Sequence, residues 1–143
     1  MILAAGMGTR LRPLTNNRPK ALVEVAGRTL LVIVLARLRS FGISEVIINT
    51  HYLAGMIADY LASHQNFGMH IQISHEEVLL DTGGGLKCAR HFFDGSNEPF
   101  LVHNVDVLST IDFARMISFH KEREALATLA VQKRSTSRYL LFD

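Results

Sequence analysis

The feature that most narrows the folds open to this chain is the alternation of two hydrophobic periods along it. Short apolar or β-branched runs over residues 1–4, 45–50, 70–74, 99–104 and 125–132 read as strands. Between them, residues 29–41, 53–63, 86–93 and 111–122 carry apolar side chains at helical spacing. Thr29 stands where a cap would start the first helix, and Gly42 stands where it would end. Residues 21–25 read as a short extended piece, and residues 6–20, with Pro13, Asn16, Asn17 and Pro19, read as a loop. Strands alternating with helices imply an α/β protein whose parallel strands are joined by crossover helices on both sheet faces. Such sheets bind ligands at the carboxyl ends of their strands. Three of those ends are unusual here: the glycine turn at Gly6, Asn49-Thr50-His51, and Asn104-Val105-Asp106. If the strands are parallel, all three share one edge.

Bulk numbers exclude several classes. At 143 residues, 48% hydrophobic and 20% charged, the chain is sized and composed as one globular domain. A net charge of +2 is too mild to argue for a nucleic-acid partner. The longest apolar run, residues 30–36, is far short of the ~20 residues of a membrane span. No secretory leader is visible, and the single cysteine, Cys88, rules out an intramolecular disulfide. These features lead to the expectation of a cytoplasmic protein with no membrane and no nucleic acid among its partners. Cys88 is expected to be a buried packing residue. His64, His70 and His75 have no zinc spacing and read as surface residues. Residues 139–143 read as a strand that stops without a closing element, so residues 1–143 are expected to be a domain incomplete at its C-terminal end.

The cations are unevenly placed. Between Met1 and Arg28 stand Arg10, Arg12, Arg18, Lys20 and Arg28 against the single acid Glu24. They follow Gly6 and Gly8, where missing β-carbons let backbone N–H groups approach a ligand. Bare amides beside guanidinium and ammonium groups suit a polyphosphate. Two familiar phosphate motifs fail here. No glycine precedes Lys20 as the P-loop requires, and Gly6-Met7-Gly8-Thr9-Arg10-Leu11 lacks the third glycine of a dinucleotide fingerprint. On composition alone, a surface loop of solvated arginines competes with the phosphate reading.

The ordered run Gly6-Met7-Gly8-Thr9-Arg10-Leu11-Arg12-Pro13-Leu14-Thr15, followed by Pro19-Lys20, resembles the signature of the sugar-1-phosphate nucleotidyltransferases. The resemblance continues through VAGRTLL, ISEVIIN, ISHEE, DTGGG and VHNVDV, and so covers nearly the whole chain. It is most marked toward enzymes related to mannose-1-phosphate guanylyltransferase and muramic acid-1-phosphate uridylyltransferase. It implies a three-layer α/β/α sandwich, Rossmann-like, with a mostly parallel central sheet of the nucleotide-diphospho-sugar transferase type. It also implies a reaction in which a nucleoside triphosphate and a sugar 1-phosphate give a nucleotide sugar and pyrophosphate. The cofactor it implies is Mg2+.

The resemblance assigns roles residue by residue. Arg10, Lys20 and Asp106 are the implied catalytic residues. Arg10 faces the departing pyrophosphate over the Gly8 and Thr9 amides, Lys20 lies near the α-phosphate, and Asp106 is the metal ligand. Ala5, Gly6, Gly8, Thr9, Arg10, Lys20, Asp81, Gly84, Gly85 and Asn104 form the implied nucleotide site, with the base at the second glycine loop, residues 81–85. Two positions depart from the family pattern. Val105 stands where a small residue usually precedes the aspartate, and Leu80 stands where many relatives carry a base-reading glutamine. Base identity is therefore left open. Two alternatives also stay open: a phosphocholine cytidylyltransferase-like enzyme of the same fold, and a nucleotide-binding regulatory module without catalysis.

Overall fold

A computed structural model describes residues 1–133 and 135. Its residues divide into two compact units, Met1–Ser109 and the chain from Thr110 onward. In the first unit a four-stranded sheet is built from β1 (Ile2–Leu3), β4 (Glu45–Thr50), β5 (His70–His75) and β6 (His103–Asn104), in the order β5-β4-β1-β6. Every pair in this sheet is parallel, as the alternation predicted. Between β1 and β4 lie a small antiparallel hairpin, β2 (Glu24–Val25) and β3 (Arg28–Thr29), and the helix α1 (Leu30–Ser40). The helix α2 (Ala54–Ser63) joins β4 to β5, and α3 (Asp81–Cys88) follows β5.

Local sequence explains the central elements. Leu30, Leu31, Val34, Leu35 and Leu38 recur along one side of α1 and are all buried. Each such side chain contributes roughly 1.5–3 kcal/mol by leaving water. The Thr29 hydroxyl accepts from the Val32 amide at 3.2 Å and caps the helix, as predicted. The last five residues of β4 are buried, as expected of a strand flanked on both sides and covered on both faces.

Four sequence expectations are corrected. Residues 21–25 are not one extended piece: Lys20–Leu22 form a single 3-10 turn, and only Glu24–Val25 is strand. The second glycine stretch is not a loop, because Asp81–Cys88 is one helix that contains Gly83, Gly84 and Gly85, followed by a 3-10 turn at Ala89–Phe92. Glycine's low helix propensity is a weak prior that tertiary packing overrides. Residues 125–132 form no strand; Leu126 is fully exposed, and no ladder partner for this stretch stands among the described residues. Cys88 is exposed rather than buried, although its sulfur receives the Ser74 hydroxyl at 3.6 Å. The expected strand over 139–143 lies outside the described residues.

In the second unit, α4 (Phe113–Glu122) is capped by Asp112, whose carboxylate accepts from the Arg115 amide at 3.0 Å.

Candidate active site

Register places the three unusual strand ends side by side. Leu3 pairs with Asn49 on one side and with Asn104 on the other. The turn after β1, the end of β4 and the end of β6 therefore open onto the same edge of the sheet. Along β6 and just past it, exposure alternates: His103 and Val105 are buried, and Asn104 and Asp106 are exposed. Val105, 2% exposed, thus points away from the edge that Asp106 faces. The missing small residue before the aspartate does not obstruct that edge.

Ala4 and Ala5 are buried, and Gly6 and Met7 emerge from the sheet exposed. The chain then turns at Gly8, with φ of +64°, into a 3-10 turn over Thr9–Leu11. The Gly8 carbonyl accepts from the Leu11 amide at 2.9 Å and from the hydroxyl of buried Thr15 at 2.8 Å. A β-carbon on Gly8 would come within 2.9 Å of Thr15 Cγ2 and 3.3 Å of Lys20 Cβ. At Gly6 an added β-carbon would meet nothing within 4 Å. The fold itself requires glycine only at the second position. Gly8→Ala is expected to lower stability by about 1–2 kcal/mol from the left-handed backbone alone, with a further cost from the contact with Thr15. Gly6→Ala should unfold within about 0.5 kcal/mol of the wild type. Urea midpoints of the two variants test this pair directly.

The rest of the cationic segment is tied down at two points. The Tyr52 hydroxyl donates to the carbonyl of Asn16 at 2.9 Å. Lys20 forms an ion pair with Asp106, its ammonium donating to Oδ2 of the carboxylate. Two residues 86 positions apart, each assigned to catalysis from the sequence, thus meet in space. The Lys20 side chain is 18% exposed and that of Asp106 is 39% exposed, so the pair faces outward from a partly sheltered base. Arg10, Arg12 and Arg18 all lie exposed. His103 is buried one strand position before Asn104, whose carbonyl is 2.7 Å from its Nδ1. Burial holds its imidazole below the usual histidine range.

On the far side of β4, the predicted base-site residues stand at the start of α3. Asp81 and Thr82 are exposed, and Gly84 is partly buried against Leu80, whose Cβ lies 2.7 Å from where a Gly84 β-carbon would be. Asp81 has φ of +59°, a conformation a non-glycine residue seldom adopts. Gly85 is buried and has no room for a side chain, because its β-carbon would fall 2.6 Å from both Asn49 Nδ2 and Glu76 Oε1.

Thr15 and Glu76 were missed at this edge, and Asn49 was read only as part of an unusual strand end. Thr15 holds the Gly8 turn, and Asn49 and Glu76 form a buried pair beneath Gly85, with Asn49 Nδ2 donating to Glu76 Oε1 at 2.7 Å. The signal for Asn49 was a polar residue inside the buried run EVIINT. Nothing in the spacing of ISHEE marked Glu76, rather than Glu77, as the buried acid.

No group of three or more histidine, cysteine or acidic side chains stands ready for a metal among the described residues. Magnesium takes one or two carboxylates and completes its shell with water and phosphate oxygens, and the partly exposed carboxylate of Asp106 at the shared strand edge is a donor of that kind. That carboxylate already carries one cation, the Lys20 ammonium, so the position is suited to positive charge.

Comparison with known proteins follows the same lines. The family model described as nucleotidyl transferase matches residues 1–139. The catalytic subunit beta of mannose-1-phosphate guanylyltransferase from Dictyostelium discoideum is 37% identical over 134 residues, covering 93% of this chain and 37% of that protein. N-acetylmuramate alpha-1-phosphate uridylyltransferase from Caulobacter vibrioides is 45% identical over 109 residues, covering 74% of this chain and 44% of that protein. Among solved structures, HddC from Yersinia pseudotuberculosis in complex with GMP-PN superposes with a TM-score of 0.74 at 28% identity, over 83% of this chain and 52% of that one. The chain thus spans less than half the length of each of these two curated relatives.

Proposed function

Because the chain belongs to the nucleotidyl transferase family, we propose that it transfers a nucleotidyl group from a nucleoside triphosphate to a sugar 1-phosphate and releases pyrophosphate. The observation that carries this reading is the meeting of Lys20 and Asp106 beside the Gly8 turn at the shared edge of the parallel strands. A lysine and a carboxylate placed there give a cation for an α-phosphate and an anchor for a divalent ion.

Each residue has a task set by charge. An oxygen of the sugar phosphate attacks the α-phosphorus in line, and the bond to the bridging oxygen of pyrophosphate breaks. Negative charge grows on the bridging oxygen and on the α-phosphate oxygens, so the protein's work is positioning and charge stabilisation. The Gly8 and Thr9 amides and the Arg10 guanidinium receive the β- and γ-phosphates that leave. Lys20 stabilises the α-phosphate. Ala5, Gly6 and Asn104 line the nucleotide's path along the edge, and Asp81, Gly84 and Gly85 take the base. Asp106 holds Mg2+, which neutralises phosphate charge when bound. We place this chemistry in the cytoplasm, in line with a chain that carries a single cysteine. Among the described residues, no helix is long and apolar enough to cross a membrane.

A pyrophosphate-release screen tests the proposal. GTP, UTP, CTP and dTTP are each paired with a panel of sugar 1-phosphates and with phosphocholine, with and without magnesium. The expected result is release with at least one sugar 1-phosphate, abolished by chelation. Release only with phosphocholine would move the assignment to a cytidylyltransferase-like enzyme. Nucleotide binding without release from any pair would favour a regulatory module.

A further inference from the structure

A line of hydrogen bonds, two buried and the last partly buried, runs beneath the site, from the turn after β1 to the start of α3. Asn49 Oδ1 accepts from the Ala4 amide at 2.8 Å, Asn49 Nδ2 donates to Glu76 Oε1 at 2.7 Å, and Glu76 Oε2 accepts from the Leu80 amide at 3.0 Å. The end amides fix the polarity. Each can only donate, so Asn49 must turn its oxygen to Ala4 and Glu76 must offer an oxygen to Leu80. Asn49 is 3% exposed and Glu76 is 2% exposed. The main chain of Glu76 is held as well: its amide donates to the Thr50 carbonyl at 2.8 Å, and its own carbonyl lies 2.8 Å from His51 Nδ1. Gly85 closes the pair from above, with no space for a β-carbon.

We propose that Asn49 and Glu76 are positioning residues that lock the phosphate-side turn and the base-side helix start into one frame. This rests on the nucleotidyl-transfer reading given above. Ala4 lies two residues before Gly6, and Leu80 lies next to Asp81, so the bridge ends directly against both halves of the proposed nucleotide site. A nucleotide held at one end then meets the other end already in place, which spares it the cost of ordering that segment. A purely apolar filler would pack the same space but leave the Ala4 and Leu80 amides unpaired.

The bridge has a polarity that can be swapped. In Glu76→Gln, the new side chain must keep its oxygen on the Leu80 amide, so its nitrogen faces Asn49 Nδ2, donor against donor. In Asn49→Asp, two carboxyl groups face each other. The double variant restores every bond: the new carboxylate at position 49 accepts from Ala4 and from the new amide at position 76. Calorimetric titration with GTP and with UTP, each with magnesium, gives the affinity, and amide hydrogen exchange of the ligand-free protein gives the ordering of residues 4–9 and 80–85. Each single change is expected to weaken binding of the better nucleotide on the order of tenfold and to speed exchange in both segments. The double variant should return to within about threefold of wild-type affinity, with exchange slowed again in both. Where a single variant fails to fold, the comparison of the double variant with the wild type decides. The proposal is overturned if a folded single binds as the wild type does, if the double variant does not recover, or if exchange rises in only one segment. A wild type that binds neither nucleotide leaves the reaction to the four-nucleotide release screen, and the exchange of the variants still decides whether the bridge couples the two segments.

Discussion

Asp106→Ala will remove nearly all pyrophosphate release while leaving the fold standing. The residue follows β6 in a turn, where the Val107 amide donates to the Asn104 carbonyl at 3.2 Å, and its side chain is 39% exposed. It fills no core space, because the neighbouring Val105 does that. Its one described side-chain partner is Lys20. A pair this open to solvent adds on the order of 0–1 kcal/mol to stability, so the variant should unfold close to the wild type. Its loss in turnover has another source: without the carboxylate, the proposed divalent ion has no protein ligand at the phosphates. Steady-state turnover and a urea melt on the same preparation separate the two effects. Near wild-type turnover would take Asp106 out of the mechanism, and a collapsed fold would show that its role is structural.

Lys20→Ala is the second large effect, a fall in kcat/KM on the order of 10²-fold or more, the scale seen when one charge-stabilising donor is lost. Alanine is the informative replacement here. It keeps the β-carbon that lies 3.3 Å from where a Gly8 side chain would begin, so the packing beneath the glycine turn survives. What disappears is the ammonium group and its pair with Asp106. Because the α-phosphate gains charge as the transition state forms, the loss should fall on kcat as well as on KM. A variant with unchanged kcat and a raised KM would reassign Lys20 to ground-state binding.

Much of this arrangement was legible beforehand, for identifiable reasons. Helix α1 announces itself because its capping threonine and its leucine spacing agree with the tertiary packing. The edge shared by Gly6, Asn49 and Asp106 followed from parallel strands, since a parallel sheet puts every strand end on one side. The β2–β3 hairpin was missed because its two-residue turn is Ala26-Gly27, both at positive φ, and alanine does not signal that conformation as asparagine would. The α3 assignment failed because three successive glycines read as a loop. Their helix stands where Glu76 receives the Leu80 amide and Gly85 seats over Asn49.

By itself the amino-acid order determined the α/β class and the excess of cations before residue 29. These are properties of local spacing and composition, and they survive without knowledge of any long-range contact; the residues proposed to act on phosphate came instead from the family resemblance of the ordered motif. Tertiary structure alone decided that Lys20 reaches Asp106, that Val105 turns inward, and that Asn49 and Glu76 join the two ends of the site. Those facts depend on strand register and on which polar groups are shut away from water together. No periodicity encodes them, because each partner becomes necessary only once the other is buried beside it.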